Sequence, residues 1–169
     1  MKNKTMKKVS FYGMMCISIL ALCMVVGCTK ENNITEDYVD LGLSSGTKWK
    51  KHNEQNKANA ECGLYTYNEA IETFGDKLPT ENQMKELKNE CQWSWNGSGY
   101  DVIGPNGKSV VFPAAGSRSC DGDINVGIGL YWSSSHYTPD IMSILFFSSD
   151  EVSMGYGQCG EMSVRLVQD

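Results

Sequence analysis

The N-terminus constrains this chain most. Lys2, Lys4, Lys7 and Lys8 make a basic start, and no charged residue appears from Phe11 to Gly27. Ile17, Ile19, Leu20, Leu22, Met24, Val25 and Val26 keep that run apolar. A positive start, a short apolar centre and a small residue at the end have the form of a secretory signal peptide. The alternative is an uncleaved membrane anchor. The run is near the lower limit of roughly 17–25 residues for a spanning helix, and Ser18, Gly13 and Gly27 weaken it further. The reading is therefore a signal peptide over residues 1–27. Whatever follows must fold outside the reducing interior of the cell.

The run closes on Val25-Val26-Gly27-Cys28. An aliphatic residue, a small residue and then Cys resemble the lipobox of bacterial lipoproteins. That resemblance implies a lipid on the Cys28 thiol and a membrane as the partner, held by more than one acyl chain. The expected localisation is the outer membrane of a cell envelope, exposed at the surface. Thr29 to Asp37 is polar with no apolar period, which predicts a flexible tether over residues 28–37. Lys30-Glu31 resembles a weak surface-export signal, and a plain polar linker explains it equally well.

Removal of the leader changes the charge. The whole chain has 15 basic and 20 acidic residues. Without the four leader lysines, 11 basic residues face 20 acidic ones, a net of −9. Phosphate backbones would repel such a domain, which argues against nucleic acid and against a polybasic grip on anionic lipid.

Residues 38–169 suit one domain with one core. Gly and Ser are frequent and helical periodicity is scarce, so an α+β or mostly β domain is expected. Tyr38 to Trp49, broken by Ser44-Ser45-Gly46, predicts a β-hairpin. Thr66-Tyr67-Asn68-Glu69 is a capping box, followed by Ala70, Ile71 and Phe74 on one face and a stop at Gly75. Thr80 to Gln83 is a second box, with Met84, Leu87 and Cys91 at helical spacing. Trp93 with Trp95, Ser109–Pro113, Gly129–Ser133, Ile141–Phe147 and Ser163–Val167 predict short strands.

Four cysteines follow the lipidated one: Cys62, Cys91, Cys120 and Cys159. An even count in an exported domain permits two disulfides in three connectivities, and free buried thiols remain the alternative. No pair has Cys-x-x-Cys spacing, so no zinc or redox site is expected.

From Tyr38 onwards the order of motifs is familiar. Tyr38-Val39-Asp40-Leu41-Gly42-Leu43-Ser44-Ser45-Gly46-Thr47-Lys48-Trp49 resembles the opening of the Fibrobacter succinogenes major paralogous domain. Leu78-Pro79-Thr80 with Glu86-Leu87 and Cys91-Gln92-Trp93 resembles its central helix. Asn106 to Arg118, Tyr131 to Ser135 and Ser163 to Val167 resemble its later segments. The resemblance covers about Tyr38 to Val167. It implies a fold of the C-type lectin-like kind: two short helices packed on a small, twisted, mostly antiparallel sheet, with the chain ends close together. After Trp49 the family continues with Ala and an Asn-x-Gly-Ala stretch, and here only Asn53 is kept. The family's long insert before the first helix is also shortened.

The chemistry points to binding more than catalysis. His52 and His136 are the only histidines, and nothing in their spacing pairs either with a nucleophile. The copper site of sulfatase-modifying enzymes, which share this fold, has no matching segment. Asp121-Gly122-Asp123-Ile124-Asn125 begins like a calcium loop. It has Val126 at the sixth position and Trp132 at the twelfth, so turn residues are expected. No metal and no cofactor are expected. The second half of a lectin-like fold carries recognition surfaces. Ser134, Ser135, His136, Tyr137, Asp140, Tyr156 and Gln158 offer polar and aromatic groups for a glycan or a protein. His136, Tyr137, Asp140, Tyr156 and Gln158 are the candidate site, and Trp132 is read as packing. The expected function is a non-catalytic binding module. The alternatives are a structural or adhesin-tip subunit of a surface assembly and, less favoured, an enzyme related to the sulfatase-modifying factors.

Overall fold

The computed structural model describes residues 37–57 and 63–169. The leader, Cys28, the tether up to Glu36, and Cys62 lie outside the described residues. No described helix is long and apolar enough to cross a membrane.

The architecture is α+β. In chain order the elements are β1 Tyr38–Asp40, β2 Lys48–Lys50, β3 Tyr65–Thr66, α1 Tyr67–Phe74, α2 Glu81–Glu90, β4 Gln92–Trp95, β5 Gly99–Ile103, β6 Ser109–Pro113, β7 Ser117–Arg118, β8 Ile124–Asn125, β9 Gly129–Thr138, β10 Ile141–Phe147, β11 Val152–Gly157, β12 Glu161–Met162 and β13 Val167–Gln168. The strands form four small sheets: β1-β2-β13, β4-β5-β6, β3-β12-β7-β8 and β11-β10-β9. All the strand pairs in these sheets are antiparallel. One small sheet was expected. Ten of the thirteen strands have only two to five residues and cannot extend across a domain, so the β structure divides into patches.

Both helices start where the sequence places them. Thr66 accepts from Glu69 N, and the Glu69 carboxylate accepts from Thr66 N at 2.8 Å. Thr80 and Gln83 repeat the exchange at α2. Each box satisfies amides that have no partner inside the helix. Gly75 ends α1 with φ 53°, a left-handed conformation that suits glycine. On α2, Met84 and Leu87 are buried as their spacing requires, and Cys91 caps the end.

The sheet β9–β10–β11 is the centre of the domain, because both of its faces are covered. Tyr131, Leu145 and Phe147 point into one apolar cluster, with Trp49, Met84, Leu87 and Phe112. Trp132 and Ile144, next to Tyr131 and Leu145, point with Met142 into another, with Tyr65, Ala70, Leu78 and Met162. Successive side chains of a strand face opposite ways, so one apolar run supplies two cores. Burial of each large side chain contributes about 1.5–3 kcal/mol. Gly129 stands opposite Phe147 in the ladder, and the Phe147 ring occupies the space a Cβ would need.

Six strands come from segments in which no strand was expected: the two-residue β3, β7, β8 and β12, and the longer β5 and β11. Gly99 in β5 and Gly155 and Gly157 in β11 suppress the strand signal. The expected strand Ser163–Val167 is corrected, since only Val167–Gln168 pairs as one. Met162 to Val167 is buried throughout, so its alternation does not separate an inner face from an outer one. Its backbone passes between partners instead: Ser163 O accepts from Trp132 N, Val164 O from Glu54 N and Leu166 O from Lys50 N.

Arg165 sits in the middle of that crossing and is buried. Its Nε donates to Asn53 Oδ1 at 2.8 Å. Nη1 donates to Lys50 O at 2.7 Å and Lys51 O at 2.6 Å, and Nη2 to Val111 O at 2.6 Å. The guanidinium carbon lies 4.5 Å from the centroid of the Phe112 ring. Burial lowers its pKa from the ordinary value, and Tyr131 and Glu54 oppose that. A guanidinium is the one cation whose flat fork reaches several backbone carbonyls at once. Here it ties the segment after β2 to β6 and to the C-terminal strand.

Candidate functional site

The β9–β10 hairpin turns on only two residues, Pro139 and Asp140, between the paired Thr138 and Ile141. The favoured two-residue hairpin turns need a positive φ at their first central position, and proline cannot supply it. The ladder next to this turn is irregular, with register shifts between Ile141 and Met142 and between Met142 and Ile144. Such irregularities re-aim side chains. Met142 pairs with His136 and Ile144 with Trp132, so Ser133, Ser134 and Ser135 bulge out opposite Ser143 alone.

The bulge has two consequences. Ser135 Oγ accepts from Glu81 N at 2.9 Å, and Ser134 N donates to Pro79 O at 2.9 Å, which docks the start of α2 on the strand. Those serines therefore hold the fold, and they are removed from the recognition surface expected of them. Trp132 is also structural: its Nε1 donates to Tyr65 O at 2.8 Å, and the ring is fully buried.

Beyond the bulge the hairpin tip is exposed, and its side chains separate. His136 falls on the face of Met142. Its Nε2 lies 3.1 Å from the Tyr67 hydroxyl, and the two rings meet edge to face at 5.5 Å. Tyr67 leans in turn on Trp132, with centroids 5.5 Å apart. Burial raises the Tyr67 pKa, so the phenol keeps its proton at neutral pH.

An open cleft of about 460 Å³ lies here. The start of α1 contributes Thr66, Tyr67 and Asn68, and the hairpin contributes His136, Pro139, Asp140 and Met142. Gln158, Cys159 and Gly160 close it from the turn after β11. Cys159 is disulfide-bonded to Cys120, with Cα atoms 5.5 Å apart, so the third wall is tied to the β7–β8 segment. Of the other two cysteines considered for pairing, Cys91 is a free thiol and Cys62 lies outside the described residues.

His136, Asp140 and Gln158 thus come together in one cleft. Tyr137 and Tyr156 do not join them. They meet each other, with ring centroids 4.1 Å apart and 61% and 54% exposed. Tyr156 pairs with Ser143 on the face of Leu145 and Met154, which is opposite to His136 and Met142. Sequence reasoning missed Tyr67, Asn68 and Thr66 as cleft residues. The capping box accounted for that segment, and no local signal joins Tyr67 to a histidine 69 residues away.

Among the described residues, no three or more His, Cys, Asp or Glu side chains cluster to hold a metal ion. The segment holding Asp121 and Asp123 is a turn closed on Ser119, whose N donates to Asp123 O at 2.8 Å and whose Oγ accepts from Asp123 N at 3.1 Å. The half-buried Cys91 thiol is pushed up to about 11 by burial and then by Glu90 and Glu86. At neutral pH it stays protonated and a poor nucleophile.

Compared with protein-family models, with curated proteins and with solved structures, the chain matches none of them. Function must therefore be argued from the cleft.

Proposed function

We infer that the chain is a surface lipoprotein, anchored through Cys28, whose domain has a C-type lectin-like fold and binds a glycan without catalysis. The observation that carries the reading is the cleft. Imidazole, carboxylate, two amide side chains and the Tyr67 ring converge there from three separate segments. Polar groups interleaved with the apolar Pro139 and Met142 suit a sugar, which offers hydroxyls at its rim and C–H groups on its faces. The fold assignment draws support from β13 pairing with β2, which keeps the two ends of the domain together. Asn53, the one residue kept in the stretch directly after Trp49, spends its side chain on Arg165 and Tyr131.

The test is a thermal-shift screen of the full chain in detergent micelles against neutral and acidic polysaccharides. A ligand at a hundred times its dissociation constant stabilises the native state by about 2.7 kcal/mol. Gln158→Ala and Asp140→Ala should abolish the shift. A shift that both variants retain would move the site elsewhere.

A second reading has its own observation. Ile124 and Val126 are 60% and 81% exposed beside β8, the edge strand of its sheet. Exposed aliphatics at an unpaired edge suit strand pairing with another protein, as in a structural or adhesin-tip subunit. Recovery of one envelope partner, lost on Val126→Lys, would favour it over the glycan.

A further inference from the structure

The five residues expected to form one surface occupy two faces of one hairpin. His136 and Asp140 open into the cleft. Tyr137, next in sequence to His136, turns to the opposite face and meets Tyr156. Two large rings more than half exposed are unusual on a soluble surface unless something covers them. The turn Pro139–Asp140 beside them is exposed.

We propose that the ligand is a neutral oligosaccharide chain that crosses the tip of the β9–β10 hairpin, with one sugar held in the His136–Asp140–Gln158 cleft and another stacked on the Tyr137–Tyr156 pair. This rests on the reading of the cleft as a glycan site. The two subsites lie on opposite faces of the same sheet. A single sugar ring cannot reach both, and a chain can. The outer face of a tyrosine ring is a flat apolar surface with a polar tip, which suits the C–H face of a pyranose.

The charge of the ligand follows from the groups present. No Lys or Arg lines the cleft, whereas Asp140 does. Lys85, the cation that interacts with Tyr156, is paired with Glu81 at 2.9 Å. The domain is strongly acidic overall. Uronate, sulfate or sialate groups would find repulsion and no counter-charge. Neutral chains incur no such penalty.

The experiment is calorimetric titration of the full chain in detergent micelles. The probes are ladders of manno-, xylo- and gluco-oligosaccharides from monomer to hexamer, with oligogalacturonate and heparin hexamers as acidic controls. In one neutral ladder the affinity should rise about ten-fold or more with length and then level off. Tyr137→Ala and Tyr156→Ala should remove that rise and leave the monomer affinity unchanged, while Gln158→Ala should weaken every length. The melting temperature of each variant confirms folding, and Tyr137→Leu, which keeps apolar bulk, serves if the alanine variant is unstable. Perturbed tyrosine ring signals in NMR with the hexamer, and not with the monomer, would support the stacking directly. Equal affinity at all lengths, or tyrosine variants that bind the hexamer like wild type, would overturn the two-face arrangement and keep the sugar site. Tighter binding of either acidic hexamer would overturn neutrality. Absence of binding across all three neutral ladders would overturn both the chain and the glycan reading.

Discussion

The surroundings of Arg165 and the tip of the β9–β10 hairpin are built from the same materials and used in opposite ways. Around Arg165, rings, carbonyls and an amide are all engaged with one another: three guanidinium nitrogens reach four acceptors, and Tyr131 donates to Pro113 O at 2.7 Å. At the tip, an imidazole, a carboxylate and two phenols stand in or beside open space. One region is closed in hydrogen bonding and in volume, and the other is open to solvent, with His136 Nε2 3.1 Å from the Tyr67 hydroxyl. Polar groups that are buried must be satisfied, so they specify a fold. Polar groups left at an exposed tip stabilise little and stay free for a ligand. The comparison predicts where mutations should destroy the molecule and where they should alter only binding.

The largest effect belongs to Arg165. Arg165→Met keeps volume and removes every donor that reaches Asn53 Oδ1 and the carbonyls of Lys50, Lys51 and Val111. A loss of roughly 3–5 kcal/mol is expected, read as a lowered midpoint in urea unfolding. Arg165→Lys should rescue little, because one ammonium cannot reach acceptors on separate segments. A near-neutral Arg165→Met would show that the closed region is not the framework it looks like.

The next effect tests the border between the two regions. Cys120–Cys159 spans 39 residues and forms one wall of the cleft. Reduction should cost about 2–4 kcal/mol through the unfolded chain. It should also weaken ligand binding, because Gln158 and Gly160 flank the freed cysteine. Cys120 and Cys159 are both exposed residues, which favours access by a small thiol reductant. The same stability with and without reductant would remove the disulfide from the framework.

The closed region was partly legible in sequence and the open one was not. Capping boxes, the Gly75 stop and the Met84–Leu87 spacing are local rules, and the helices obey them. The apolar run Ile141–Phe147 announces a buried strand, although not that its two faces feed two cores. Arg165 was visible only as a polar position in an alternating segment, because its partners lie 54 to 115 residues away. The tip failed for a different reason. Strict alternation would place His136 and Asp140 together and Tyr137 apart, as found, but the three-serine bulge hides the frame from which to count. All five candidate residues are exposed, and they divide between two faces of the sheet.

Alkaline pH should act through the phenols that burial perturbs. Burial raises the pKa of Tyr131 above the ordinary tyrosine value of 10.0, and burial raises Tyr38, Tyr65, Tyr67 and Tyr100 in the same direction. A raised folded value means that the unfolded chain gives up its protons first. The stability these groups protect is whole below pH 10.0 and is lost as the pH climbs through the folded values. Melting temperatures measured from pH 8 upwards should therefore hold and then fall, and Tyr131→Phe should soften the fall. A flat profile would mean that those phenols are reached by water.

The smallest effect on stability should come with the largest separation of stability from function. Tyr137→Ala removes a ring that is 61% exposed, and its one close ring contact, Tyr156, is itself 54% exposed. An aromatic pair at the surface is worth about 0.5–1.5 kcal/mol, and part of that returns when water covers the Tyr156 face. A change within about 0.5 kcal/mol is expected in urea unfolding, against a clear loss of affinity for any ligand that uses the pair. A loss of 2 kcal/mol or more, well beyond the roughly 0.5 kcal/mol usual for exposed positions, would place Tyr137 with Arg165 in the closed framework. The hairpin tip would then be a brace for the sheet, and recognition would have to be sought at the β8 edge.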